Sequence, residues 1–505
     1  MSSTMSECAF EPADMSFMMM CTTFVMLQTP AMGIAQAGMI RRKNCLSIVM
    51  QTITGLVIGS LLWFTVGFTL TFGPSFGGMG LIGTFKYAFL HNVDPVGCLP
   101  HLTTYIPGLL YVSFQMMFAI MVPVIVTGAW AERMNFLAFL IFVILWPLLV
   151  YYPIAHWVWN PNGVLAGMGV MDFAGGITIH TTSGVSALIV ASHLQKREDQ
   201  QGRLQHHNIP LSIVGGSLIW AGWYSFNAGS ALQANEQAVV AVINTHLAGC
   251  MSAMIWTIFA YLKDGHWHLT EIIGGAFAGL AAVTPGSGYI TPGSAIIVGA
   301  VGGVISFYAL QIVKEHLKID DVLDVFALQG APGIVGSLMV AFFADASVQG
   351  GNPGKDGYFI SGSLDLLWAQ AWAIIVVVTW TVLATNMIFT GMHAFFNVDV
   401  NAHTDEVGLD LTQLGETAYD DTLSLPLDLG EEVLTTRMCA AAGIGDLKTI
   451  KMLIFAGCDV DAQDYDGRCP LALAASEGHL QVVTPLVEQY GAKINIEVCE
   501  INIYY

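Results

Sequence analysis

Residues 172–180 read DFAGGITIH and lie inside an apolar run from Gly167 to Ala191. Such a run is long enough to cross the ~30 Å hydrocarbon core of a bilayer as a helix. An aspartate and a histidine then stand at membrane depth, where an ionisable group is costly unless it is paired or lines a cavity. In a continuous helix, eight residues turn through about 800°, so Asp172 and His180 share roughly one face two turns apart. Either the two line a path through the membrane, or the aspartate caps a helix and the histidine merely finds a carbonyl.

The rest of the chain agrees with a membrane setting. Of 505 residues, 54% are apolar and 11% charged, against about 25% charged in a soluble domain. Mean hydropathy is +0.63. Eleven segments are long enough to span, near 15–39, 46–72, 106–131, 136–159, 167–192, 209–231, 236–262, 269–285, 291–313, 322–345 and 365–396. The expected fold is an all-α polytopic membrane protein of eleven helices. The 53 glycines fit close helix–helix approach.

Twelve Lys and Arg precede residue 400. Ten fall in alternate loops: Arg41, Arg42, Lys43, Arg133, Lys196, Arg197, Arg203, Lys263, Lys314 and Lys318. Lys86 and Lys355 lie on the other side. The positive-inside rule makes the ten cytoplasmic, with the N-terminus outside and the C-terminus inside a multi-pass cell-membrane protein. The N-terminus lacks the charged region and cleavage site of a signal peptide, so the first apolar run is expected to stay as a span. Of nine cysteines, only Cys8 and Cys98 fall in outside segments, where a disulfide could persist. No Cys/His spacing suits a metal, no cofactor is implied, and nothing is basic enough to suggest nucleic acid. Much of the net charge of −20 comes from an acidic tail.

The tail is a second module. Ala441-Ala442 and Gly445 recur 33 residues later as Ala474-Ala475 and Gly478. DYDGRCPLALAASEGHL resembles an ankyrin unit, with a turn at Asp466-Gly467 and a helix starting at Pro470. Two units are expected over 438–495. Pro485 should weaken the last helix by removing a backbone bond. A pair this short suggests packing against a cytoplasmic protein partner or a shortened array. The expected division is 1–396 transmembrane, 397–437 coupling segment and linker, 438–495 repeats, and 496–505 tail.

With DFAGGITIH, GWYSFNAGSAL (222–232), AWAERMNFLAFLIF (129–142), ADMSFMMMCT (13–22), RRKN (41–44) and DDVLDVF (320–326) all in order, the first ~425 positions resemble the ammonium transporter family. The resemblance implies a homotrimer with a pore in each protomer. It also implies a pseudo-twofold relating spans 1–5 to 6–10, with span 11 across the outside. Phe118 and Phe226 match a stacked pair closing the outer mouth. Trp159, Phe118 and Ser230 match an outer ammonium site of ring faces and a hydroxyl. Asp172 matches a buried structural acid, Asp324 a structural position near the pore, and His180 the first of two pore histidines. Gln329 stands where the second is expected. It can donate and accept hydrogen bonds but cannot titrate. Three outcomes follow: transport through His180 with water or Gln329, relaxed selectivity, or ammonium sensing without useful flux. DEVGLDLTQLGETAYDD (405–421) matches a segment that couples protomers, with Leu414 in place of histidine, and is expected to dock beneath the pore. A polytopic enzyme is disfavoured because no nucleophile or metal cluster accompanies Asp172 and His180. The remaining histidines read as bystanders: His101 and His156 at outer span ends, His193, His206 and His207 in a solvated inner loop, and His393 at the interface.

Overall fold

The computed structural model describes residues 8–197, 206–350, 354–419, 431–455 and 457–494. Arg203, Asp420, Asp421 and the final stretch from 495 lie outside them. Contacts divide the chain into one unit ending at Glu416 and a second starting at Thr417.

The first unit is helical, and no strand is present among the described residues. Its apolar helices are α1 (Pro12–Met39), α2 (Arg42–Phe72), α3 (Gly108–Trp130), α4 (Phe136–Trp159), α5 (Gly176–Thr181 continued by Thr182–His193), α6 (Ile209–Gly229), α7 (Glu236–Asp264), α8 (Leu269–Val283), α9 (Pro292–His316), α10 (Phe326–Phe343) and α11 (Asp365–Phe395). Among the described residues, nine are long and apolar enough to cross a membrane; α8 is a shorter apolar helix, and α5 is not among the nine. Leu61, Leu262, Trp368, Leu383 and Met387 are exposed on the outside of the bundle. Lipid suits such a surface; water does not.

Small residues set the helix spacing. α1 packs along α6, where a side chain at Gly215 or Gly222 would strike the α1 backbone. α11 packs on α4, α5 and α10. Disulfide-bonded Cys8 and Cys98 have Cα atoms 5.8 Å apart and tie the segment before α1 to the loop before α3.

Two sequence expectations change. A helix running through Asp172 was expected, but α5 begins at Gly176. The Asp172 carboxylate instead accepts the N–H groups that open the helix, which a residue inside the helix could not do. Likewise α10 begins at Phe326, after Asp324 adopts φ +58°.

At the end of the bundle carrying the alternate-loop cations, the charges are paired. The Glu132 side chain is fully buried and takes Arg41 Nε at 2.7 Å, Asn44 Nδ2 at 2.7 Å and Arg197 Nη1 at 3.0 Å. Burial pushes its carboxyl up, but the two guanidiniums outweigh burial and hold it below its usual range. Arg197 also grips Asp320 at 2.8 Å. The stretch after α11 docks here. Asp405 pairs with Arg41 at 2.6 Å, and Asp410 accepts from Leu46 N (2.9 Å) and Ser47 N (2.7 Å) near the start of α2. Gln413 bonds Phe136 N and Asn135 at the start of α4.

His156, His193 and His207 are less exposed than expected, while His206 is exposed as read. His156 is fully buried, with Nδ1 2.8 Å from Thr71 O, because the last turn of α2 packs against its ring. His193 bonds Asn386 at 2.8 Å, and His206 and His207 bond carbonyls at the end of α1. His393 lies 3.7 Å from Asp399.

Among its described residues the second unit holds two helix pairs, α12 (Glu431–Gly443) with α13 (Leu447–Phe455), and α14 (Pro470–Ser476) with α15 (Leu480–Glu488). Met438, Ala442, Ile450, Leu453, Ala474, Val482 and Leu486 form its core. Gly445 and Gly478 turn each pair at φ +76° and +77°, as their shared spacing implied. Asp464 accepts from Asp466 N and Arg468 N around Gly467. α15 runs unbroken through Pro485. In so short a helix, the missing N–H removes one bond and leaves the rest intact.

Candidate functional site

The site lies between the two halves of the first unit. Phe118 of α3 and Phe226 of α6 are each 1% exposed, with ring centroids 4.3 Å apart. Trp159, at the end of α4, sets its ring edge-on to Phe118 at 6.1 Å. Its Nε1 donates to the Asp172 carbonyl at 2.9 Å, fixing the ring. The Ser230 hydroxyl donates to Phe226 O at 3.0 Å, which leaves its oxygen free to accept. On the far side of the phenyl pair, the His180 ring lies 6.1 Å from Phe226 and stacks on Trp223 at 5.2 Å.

His180 Nδ1 is 2.6 Å from Gln329 Oε1. An amide oxygen only accepts, so Nδ1 carries the hydrogen. In the neutral ring Nε2 is then a bare acceptor. It is buried and has no hydrogen-bond partner. A cavity of about 350 Å³ is lined by His180 and Gln329 together with Gln28, Trp223, Glu271 and Asp324.

Two quasi-equivalent segments hold this pair. Asp172 Oδ2 accepts from Ile177 N and Thr178 N, each at 3.0 Å, and Oδ1 from Gly175 N at 3.1 Å. Asp321 Oδ2 accepts from Phe326 N at 2.8 Å. The residue three past each acid has positive φ: +117° at Gly175 and +58° at Asp324. A wide turn follows, closed in α5 by His180 N donating to Gly175 O. Eight residues past each acid come His180 and Gln329; twelve past come Gly184 and Gly333. These glycines interlock. A side chain at Gly184 would overlap Gly330, beside Gln329, and one at Gly333 would lie 2.8 Å from His180 Cβ.

Sequence reading put Phe118, Trp159, Asp172, His180, Phe226, Ser230 and Gln329 in one site, and the structure places them together. Asp324 lies at the inner end and pairs with Lys314 at 2.7 Å. Two residues were missed. Asp321, 1% exposed, is the acid equivalent to Asp172; its eight-residue spacing to Gln329 was the available signal. Trp223, one turn from Phe226 on α6, supplies the wall on which His180 stacks.

Aromatic faces and a hydroxyl at the mouth suit a small cation. Beyond them the His180 ring, stacked on Trp223 with Nε2 bare, suits a small molecule able to give up a proton. Fold and site thus define the class: a polytopic helical transport protein for the small cation of a weak base. More particularly, the chain belongs to the Ammonium Transporter Family, whose profile matches residues 16–419. An ankyrin-repeat profile of three copies matches 423–498. Ammonium transporter 1 of Dictyostelium discoideum is 39% identical over 82% of this chain and 89% of its own. The crystal structure of Saccharomyces cerevisiae Mep2 superposes with TM-score 0.73 at 29% identity, over 78% of this chain and 88% of its own. A structure titled Sensor Amt Protein gives TM-score 0.72 at 28% identity, over 79% and 98%.

Proposed function

We propose that each protomer of a homotrimer conducts ammonium, as ammonium or as ammonia plus a proton, through its own pore. The observation that carries this reading is the bare, buried Nε2 of His180, turned from Gln329 and bordering the cavity. Ammonium enters between Trp159, Phe118 and Ser230, where ring faces and a hydroxyl oxygen replace water. The phenyl pair parts to admit it. Beyond the rings a full charge is poorly solvated. His180 Nε2 accepts a hydrogen bond from the incoming nitrogen and can take its proton. Gln329 holds the imidazole in that tautomer. It cannot itself receive the proton, so onward transfer falls to water in the cavity.

The proposed orientation puts the N-terminus outside. It is supported by the paired cations and docked 397–416 stretch at one end, and by Lys86 and Lys355 in loops that open at the other. The eleven-span reading fits this alternation. The ankyrin unit is proposed to meet a cytoplasmic protein partner.

A second reading, an ammonium sensor with little flux, is favoured by Gln329 and by the likeness to the structure titled Sensor Amt Protein. Proteoliposomes separate the two. Transport predicts ammonium-driven current and labelled methylammonium uptake above empty vesicles. A sensor predicts ammonium-dependent protection of the tail from protease without uptake.

A further inference from the structure

Gln329 removes a titratable group from the centre of the pore, so the next charged groups along the cavity matter more. Its other titratable lining groups are His206, Glu271, Lys314 and Asp324. Three are already engaged. Lys314 and Asp324 neutralise each other at 2.7 Å, and His206 bonds Met39 O at 2.8 Å. Glu271 differs. It is in no ion pair among the described residues. One of its oxygens accepts from Trp256 Nε1; among the described residues the other takes no hydrogen bond.

Glu271 is placed along the pore by a ladder of rings. His180 stacks on Trp223, and Trp223 on Phe277 at 6.3 Å. Phe277 and Glu271 are six residues apart on α8, about 9 Å along the axis at 1.5 Å per residue. Glu271 therefore lies at the inner end of the cavity that starts at His180. Between them, Gln28 borders the same cavity. Its side chain is 1% exposed, and its Nε2 is fixed by Ile219 O at 3.0 Å. Its Oε1 is left without a partner. A buried amide oxygen lacking a donor costs free energy unless something supplies one. A small N–H donor in the cavity would do so.

We propose that Glu271 is an inner binding station for a monovalent cation of ammonium's size, reached from His180 past the acceptor of Gln28. The proposal rests on reading this cavity as the inner half of the conduction path. An unpaired carboxylate attracts a cation where bulk water is restricted. The indole of Trp256 holds it in place. Glu271 supplies on the inner side the negative charge that Gln329 cannot.

The test is a structure of the full-length protein equilibrated with thallous ion, which is close to ammonium in charge and radius and is electron-dense. We expect one peak within about 4 Å of the Glu271 carboxylate, in the contact range of an ion pair, and another between Trp159 and Ser230. Glu271→Gln keeps an acceptor for Trp256 and should lower inner occupancy at least fivefold without changing the outer peak. If that variant does not fold, Glu271→Asp should move the inner peak with the shortened side chain. Absence of an inner peak in the wild type, or its persistence in Glu271→Gln, overturns the proposal. An inner peak without an outer one would overturn the outer-site reading and support the inner station.

Discussion

Segments 172–184 and 321–333 are two versions of one device, and they differ in a single functional respect. Each has an acid, a positive-φ residue three further on, an imidazole or amide at eight, and a glycine at twelve, and each glycine packs beside the other segment's pore residue. The scaffold is duplicated; the chemistry is not. The first segment ends in a group that can titrate, the second in one that can only orient it. Packing constrains the backbone of both halves because they interlock. It places no such demand on what the second side chain does with a proton.

The acids also differ in how well they are satisfied. Asp172 takes three backbone N–H groups and the Thr178 hydroxyl. Asp321 takes Phe326 N, and its Oδ1 has no partner. At the position matching Thr178 stands Ala327, which has no hydroxyl to give. The largest expected effect follows from this. Asp172→Ala strips several buried donors at about 1–3 kcal/mol each and should leave little folded protein. Asp321→Ala should cost about 1–2 kcal/mol and still yield a folded variant. Melting in detergent checks both; equal losses would break the comparison.

Next in size is the ring pair proposed as the gate, Phe118 of α3 and Phe226 of α6. Phe226→Ala leaves Phe118 without its stacking partner. Conduction or potassium exclusion should then change about tenfold, equivalent to about 1.4 kcal/mol. An unchanged rate and selectivity in flux assays would remove these rings from the gate.

A smaller effect concerns the clasp between halves. Arg197 holds Glu132, from the loop joining α3 to α4, and Asp320, from the loop before α10. Burial pushes the Asp320 carboxyl up, but Arg197 and Arg133 outweigh it and hold it down at about 2, against 3.8 ordinarily. A lowered carboxylate pKa adds stability that is present above its unfolded value and lost as pH falls through the folded one. Melting temperature should therefore stay level in this respect above about pH 4 and fall between about pH 4 and 2. Arg197→Met should flatten that fall, and an identical acid profile in the variant would contradict the clasp. Smallest is Thr178→Val, which removes only the hydroxyl bond to Asp172. It should cost about 1 kcal/mol by denaturant titration; a cost as large as that of Asp172→Ala would show that the hydroxyl matters more than the backbone bonds.

Much of this was legible in the chain. Apolar runs placed the helices, alternating cations predicted one charged face, and motif residues scattered from 118 to 329 met at one site. What stayed hidden has a common physical cause. Periodicity reports which residues face lipid or core, and it assumes an unbroken helix. It therefore carried α5 back to 167 and left the capping of α5 by Asp172 as only one of two readings. The same assumption hid Asp321, whose eight-residue spacing to Gln329 repeats that of Asp172 to His180 and gains its meaning once both acids are seen as caps. Hydropathy also placed His156 at a surface, because it cannot register the end of α2 packing against the ring. Trp223 was invisible as a pore wall because an indole in an apolar helix reads as core until its histidine neighbour is seen.

The central claim is that one imidazole, oriented by Gln329, carries ammonium passage. It is tested most directly by recording ammonium-evoked current and uptake together in proteoliposomes of wild type, His180→Ala and Gln329→His. The account predicts weak wild-type ammonium transport, none in His180→Ala, and higher flux or sharper potassium exclusion in Gln329→His, where a second titratable ring is restored. Robust, potassium-excluding uptake in the wild type that survives His180→Ala would contradict it.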